Sequence, residues 1–232
     1  MPQWRGHGYW TKERETRAEG DGLQARGTIR GTIFAALAAA LVAGGASGAA
    51  AARTGDAEAS LFDAEGYRAA RYRAPIRLDP APAQAIDLAE ALTLTPGRDA
   101  LFIDVMPAEG AVRDPASGAW RLAASHLTIP GASWFPETGR APVDQALWAG
   151  LTGAIDEARR ARSDLPVILF CRSDCWMSWN AARRLAREGR SGIFWLAEGT
   201  DGWHAAGRAL VEAVPAITPP FQSHARQKQE EH

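Results

Sequence analysis

Three short runs of unbroken apolar residues constrain this chain most: "ALFIDVM" (100–106), "LPVILF" (165–170) and "GIFWLAEG" (192–199). A strand with one wet face alternates apolar and polar residues. A run without alternation belongs to a strand buried on both faces, as in a parallel sheet covered by helices. Helical patterns lie between these runs. Leu147, Leu151 and Ile155 fall at helical spacing within residues 145–162, and residues 177–189 are amphipathic and end in a C-cap glycine. "TDGWHAAGRALV" reads as a last helix, and residues 83–94 as a short helix before the first run. Residues 107–122 read as a long loop, and residues 126–136 as two short strands around a Pro-Gly turn. "YRAARYRAPI" is expected as an edge strand or an extended lead-in. Strands alternating with helices imply right-handed crossovers. The expected fold is α/β, with three layers, α/β/α, around a central mostly parallel sheet.

The chain has 232 residues and a formal net charge of −1. That length suits one domain with appendages. The charge offers no basic excess for nucleic acid and no acidic excess for a cationic partner. Nine tryptophans bring large apolar area and a donor that wants an acceptor, so several are expected in the core. The N-terminal quarter is expected outside the fold. Arg26 and Arg30 precede an apolar stretch, 33–43, and small residues fill 44–52. That is the order of a secretory signal peptide. The apolar stretch matches the roughly 7–15 residues of a signal core and is short of the ~18 of a spanning helix. An uncleaved anchor is the alternative. The predicted division is 1–52 polar leader plus signal peptide, with translation starting downstream of Met1. Residues 53–98 are linker and lead-in, 99–213 the α/β domain, and 214–232 a disordered tail. The predicted location is the periplasm, with no membrane span after cleavage.

Both cysteines lie in "LFCRSDCWMSWNAARRL", as Cys171 and Cys175. A disulfide staple, a metal clip and a working thiol are the three readings. Export favours oxidised thiols, but so short a loop gains little chain-entropy stabilisation from a crosslink. Cys171 ends a central strand, the edge at which open α/β sheets bind ligands. Arg172, Ser173, Asp174, Trp176 and Met177 form a tight loop into a helix N-terminus near Met177. The backbone N–H groups, the helix dipole and Arg172 are expected to favour a thiolate on Cys171. The thiolate is the nucleophile. Asp174 is expected as a loop acceptor or helix N-cap, and its charge opposes the thiolate. Of Trp176 and Trp179, one is expected at the pocket mouth and one in the core. Two thiols with Met177 and a distant His126 or His204 would suit Cu(I). Zinc wants four ligands, and there is no second cysteine pair. No C-x-x-C-H haem signature and no glycine-rich phosphate loop occur.

Four pieces in order, "LFIDV", "HLTIPGASWFP", "VILFCRSDCWMS" and "WLAEGTDGWHAAG", resemble the motifs of rhodanese-like domains over residues 99–213. The loop "DCWMSWNAA", with "GYRAARYRAP" and "RDPASGAWRL", is similar to an exported rhodanese-like group, the PQQ-dependent catabolism-associated CXXCW motif proteins. Met106 stands where the rhodanese pattern has arginine, and three residues rather than two separate the cysteines. The resemblance implies a persulfide on Cys171, with a sulfane-sulfur donor or a thiol as substrate. It implies structural support from Asp104, His126 and Trp203. It also implies a periplasmic quinoprotein dehydrogenase or cytochrome c as partner.

The expected activity is sulfur transfer or thiol–disulfide exchange through Cys171, with Cys175 as the resolving thiol and no bound cofactor beyond the persulfide. The alternatives are a non-catalytic accessory protein for a quinoprotein or cytochrome, and a Cu(I) chaperone.

Overall fold

The structure is a computed structural model, and it describes residues 59–216. The leader, the signal peptide, the first residues of the linker and residues 217–232 of the tail lie outside the described residues. Five strands form one all-parallel sheet: β1 (Gln84–Ile86), β2 (Leu101–Asp104), β6 (Ser133–Trp134), β7 (Val167–Phe170) and β8 (Ile193–Leu196). Their order is β1-β8-β7-β2-β6. The three apolar runs therefore occupy the three inner positions, where both edges are hydrogen-bonded and both faces are covered.

The period-2 alternation of side chains sorts each run between two cores. Ile103, Val105, Val167, Leu169, Cys171, Ile193 and Trp195 face α2 (Gln145–Arg159) and α3 (Trp176–Arg187). Phe102, Ile168, Phe170 and Leu196 face α1 (Leu88–Ala91) and α4 (Gly199–Ala205). Two helices on each side of the sheet give the three layers. α2 starts where the Asp144 carboxylate accepts the Ala146 and Leu147 N–H groups, and it buries Trp148, Leu151 and Ile155. α3 buries nearly its whole first two turns, Trp176 to Ala182.

Local differences from the sequence reading have physical causes. Residues 83–94 are a strand and a helical turn, not one helix. Asp87 divides them by capping α1 through Glu90 N–H at 2.7 Å, and Gln84–Ile86 are drawn onto β8 as the sheet edge. The loop at 107–122 carries a hairpin, β3 (Val112–Arg113) with β4 (Trp120–Arg121). The last helix stops at Ala205, and Gly207 at φ +77 turns the chain toward β9 (Val211–Ala213), which pairs with β5 (His126–Thr128). The start of the expected tail is also paired: Ala216 N–H donates to Trp134 O at 2.7 Å.

The domain begins well before residue 99. Asn180 on α3 is buried and clamps the lead-in. It accepts Arg68 N–H at 2.9 Å and donates to Arg68 O and Gly139 O, both at 2.8 Å. Each of its bonds replaces one lost to water, as a buried amide requires. Arg68 itself lies over the Phe62 and Trp176 rings, 5.2 and 4.9 Å from their centroids.

α4 closes on the end of β7. Thr200 N–H donates to Cys171 O at 2.9 Å, and Gly199, at φ +53, bridges Arg172. A Cβ on Gly199 would lie 2.1 Å from Cys171 O, inside any real contact. Gly199→Ala is expected to cost roughly 2–4 kcal/mol from this clash and the left-handed backbone. The check is a lower urea midpoint at an unchanged m-value.

Candidate active site at the cysteine loop

Cys171 follows the last residue of β7, and Cys175 is the N-cap residue of α3. The two thiols are free, with no disulfide between them, and both are fully buried. The Cys171 S–H donates to Cys175 O at 3.0 Å, and its sulfur lies 3.1 Å from Ser178 Oγ. Trp195 Nε1–H donates to the same Ser178 oxygen at 3.0 Å. The main chain holds the sulfur in place from the other side, through the Thr200 N–H on Cys171 O.

The two thiols have opposite acidities. Burial pushes the Cys171 thiol well above its usual range, and the neighbouring Cys175 sulfur adds to this. Cys175 moves down. The Cys171 thiol favours its anion first, and the Met177 and Arg172 backbone and the Arg73 charge add to that, against burial. The sequence placed the helix N-terminus against Cys171. It serves both sulfurs: the Met177 backbone favours the Cys175 anion and the Ser178 backbone the Cys171 anion, where burial outweighs it. Of the two thiols, Cys175 is the one that ionises first and Cys171 the one that keeps its proton longer.

The loop between them is tied down at its surface. Asp174 does not cap the helix. Its carboxylate takes Arg73 Nε–H and Nη2–H at 2.9 and 3.0 Å. Arg172 pairs with Asp201 at 3.3 Å, and Ser173 donates to Asp201 through N–H at 3.1 Å and through its hydroxyl at 2.9 Å. Burial opposes ionisation of Asp201, but Ser173 and Arg172 outweigh it and hold that carboxyl below its ordinary range. Both cations flanking the cysteines thus already have carboxylate partners.

The lead-in roofs the site. Ala74 N–H donates to Asp174 O and Trp176 N–H to Tyr72 O, both at 2.8 Å, and Arg73 bridges Cys175 in antiparallel register. Residues 72–74 therefore run as a one-rung strand across the loop. Neither Trp176 nor Trp179 reaches a pocket mouth. They are 1% and 2% exposed and stack edge to face with 5.3 Å between centroids. Met177 is buried beside them.

Asp104, His126 and Trp203 do not contact either sulfur. In register with Phe170, Asp104 faces the α1/α4 side of the sheet, opposite Cys171. Its carboxylate accepts from Thr128 Oγ1–H at 2.7 Å and Met106 N–H at 2.8 Å, and His126 Nε2 lies 2.7 Å away. The His126 ring stacks on Trp134 at 4.0 Å. Trp203 packs in the core against Phe102. A cavity of about 190 Å³ lies between this cluster and the loop, lined by Met106, Ser125, His126, Trp134, Arg73 and Arg172. Neither cysteine lines it. Among the described residues, no three His, Cys, Asp or Glu side chains gather as a metal site, and no helix is long and apolar enough to cross a membrane.

The sequence did not single out Ser178, Trp195, Tyr72, Arg73 or Asp201. Only Ser178 left a signal: it stands three residues after Cys175, on the helix face that turns back toward the N-terminus. No protein-family model matches the chain, and no curated protein matches it.

Two outcomes are expected. In the Cys175→Ser protein the folded state holds the Cys171 proton more tightly than the unfolded chain does. Above a pH of about 9.0, the ordinary thiol value, unfolding releases a proton that the folded state keeps. Stability is therefore full below that pH and falls as pH rises beyond it, which urea melts at stepped pH will read. Arg73→Ala removes an exposed ion pair that steadies the roof, a contribution of about 1 kcal/mol or less. The loss should appear as a small fall in the urea midpoint at an unchanged m-value.

Proposed function

We propose that this chain is an exported rhodanese-like protein whose Cys171–Cys175 pair transfers sulfane sulfur or exchanges thiol and disulfide, in the setting of PQQ-dependent alcohol catabolism. One observation carries the chemistry. Two unbonded thiols, one at the end of a central strand and one at a helix N-cap, interact closely enough to bias where the proton sits. Such a pair moves between dithiol and disulfide with little rearrangement of the fold.

In the sulfur-transfer form, the Cys171 thiolate takes a sulfur atom from a sulfane donor and becomes a persulfide, and the donor leaves with the electron pair of its broken bond. The Cys175 thiolate then attacks Cys171 Sγ. The Cys171–Cys175 bond forms, the outer S–S bond breaks, and the carried sulfur departs as hydrosulfide. An external thiol reduces the disulfide and restores the pair. Arg73 and Arg172 are already engaged by Asp174 and Asp201, which favours a neutral or thiol-type donor over a strongly anionic one. The group resemblance of the loop supports the quinoprotein setting and the periplasmic location.

A second reading, a non-catalytic accessory protein for a quinoprotein or cytochrome, draws on the full burial of both sulfurs. Cys171→Ser separates the two: it abolishes exchange and leaves a binding role intact.

Reduced Cys175→Ser protein, which cannot resolve the persulfide, is expected to gain the mass of one sulfur atom from a sulfane-sulfur donor, and the reduced parent chain to end two hydrogens lighter, as the disulfide. The gain should vanish in Cys171→Ser. If neither cysteine gains sulfur and the pair cannot be cycled between dithiol and disulfide, the proposal fails. A reduction potential less negative than about −300 mV would mark a labile pair, and a lower one a structural bridge.

A further inference from the structure

We propose that Ser178, oriented by Trp195, is the residue that stabilises the Cys171 sulfur as a thiolate during exchange. It rests on the reading that the Cys171 sulfur reacts. A hydroxyl has one proton to give. The Ser178 oxygen already accepts the Trp195 indole N–H at 3.0 Å. Two acceptors lie within reach of its proton: the Cys171 sulfur at 3.1 Å and the Cys175 carbonyl at 3.4 Å. The Cys171 proton itself points to that carbonyl, at 3.0 Å. In the thiol form Ser178 Oγ–H donates to the Cys175 carbonyl, and the sulfur, at 3.1 Å the nearer atom, receives that proton's hydrogen bond once it has lost its own.

The arrangement is buried throughout, with Ser178 1% and Trp195 6% exposed. In so dry a place a donor to an anion is worth more than it is in water. Once Cys171 has lost its proton, the Cys175 carbonyl presents lone pairs to a negative sulfur and repels it. The Ser178 hydroxyl attracts it, and the Ser178 backbone acts in the same direction. The indole N–H polarises the hydroxyl and holds its oxygen beside the sulfur. Of the titratable groups, Cys175 faces Cys171, and Arg73 acts on Cys175 from the lead-in.

The step that needs this is the reopening of the disulfide. An external thiolate attacks Cys175 Sγ and forms a new S–S bond there. The Cys171–Cys175 bond breaks, and its electron pair leaves with Cys171. Cys171 is the leaving sulfur, and burial alone would make it a poor one. Ser178 lowers that cost where the charge appears. A second external thiolate then attacks the mixed disulfide, leaves with the first as their disulfide and frees Cys175, and the same Ser178 hydroxyl steadies Cys171 for attack on the next donor.

The Cys175→Ser protein has Cys171 as its single thiol, so its ultraviolet thiolate absorbance titrates one group. Adding Ser178→Ala is expected to raise the midpoint, leaving the thiolate fraction about tenfold or more lower at a fixed pH below it. Trp195→Phe keeps the ring, loses the N–H, and should shift the midpoint the same way by a smaller factor of about three. Ser178→Thr keeps the hydroxyl and should restore the parent midpoint. An unchanged midpoint in a folded Ser178→Ala protein would overturn the proposal. Should that variant not fold, an unchanged midpoint in Trp195→Phe overturns it instead. The titration uses no sulfur donor. A chain that takes up no sulfur defeats the exchange reading, and the Ser178 shift is then measured independently of it.

Discussion

Val167, Ile168, Leu169 and Phe170 have no exposed surface, and each edge of their strand is hydrogen-bonded to another strand. A strand buried in this way needs a helical layer on each face, because side chains leave it alternately up and down. It must also end where the chain can leave the sheet, and it ends at Phe170, so that Cys171 is the first residue to leave. Most of what surrounds the cysteines follows from that ending. α4 supplies Thr200 N–H and a glycine to receive the Cys171 carbonyl. α3 begins five residues after Cys171 and brings Ser178 back against the sulfur. The sheet thus fixes the main chain of the nucleophile candidate before any side chain is considered.

A buried dithiol needs some rule that decides where its proton and charge reside. Burial and the neighbouring carbonyl push the charge toward Cys175. Ser178 and Trp195 are the counterweight on the Cys171 side. The pair is therefore biased but not locked, which suits two sulfurs that alternate between holding a proton and leaving without one. The carboxylate partners of Arg73 and Arg172 keep the surface of the loop close to neutral. They leave the internal hydrogen bonds, rather than an external field, to set the balance.

The architecture was legible in the sequence, because unbroken apolar runs have few other uses in a chain of this size. The positions of β2, β7, β8, α2 and α3 follow from periodicity and caps. The edges did not follow. Gln84–Ile86 has helical spacing, yet it becomes a strand because β8 offers an open edge. The hairpin at 112–121 is too short to carry a pattern. The prominence of Cys171 and Cys175 was also legible, as was the strand–loop–helix setting. Their relative acidity was not, since it depends on how deeply Cys171 is buried and on the hydrogen bond between the two thiols, which tertiary packing decides. Arg73, Tyr72 and Asp201 reach the loop only through tertiary pairing over 100 or nearly 30 positions of chain, as the Arg73–Asp174 and Ser173–Asp201 bonds show. No local spacing announces such partners.

The one-rung strand at residues 72–74 has a consequence for how long the site can survive. Oxidation of cysteine beyond the reversible stages follows thiolate character and exposure. With the roof in place, the more acidic thiol is shut away from dissolved oxidants, and its nearest nucleophilic companion is the other cysteine. A sulfenic acid formed during a brief opening would meet Cys171 before it met a second oxidant. The same covering that slows access to the sulfurs confines their damage to a disulfide, which a thiol can undo.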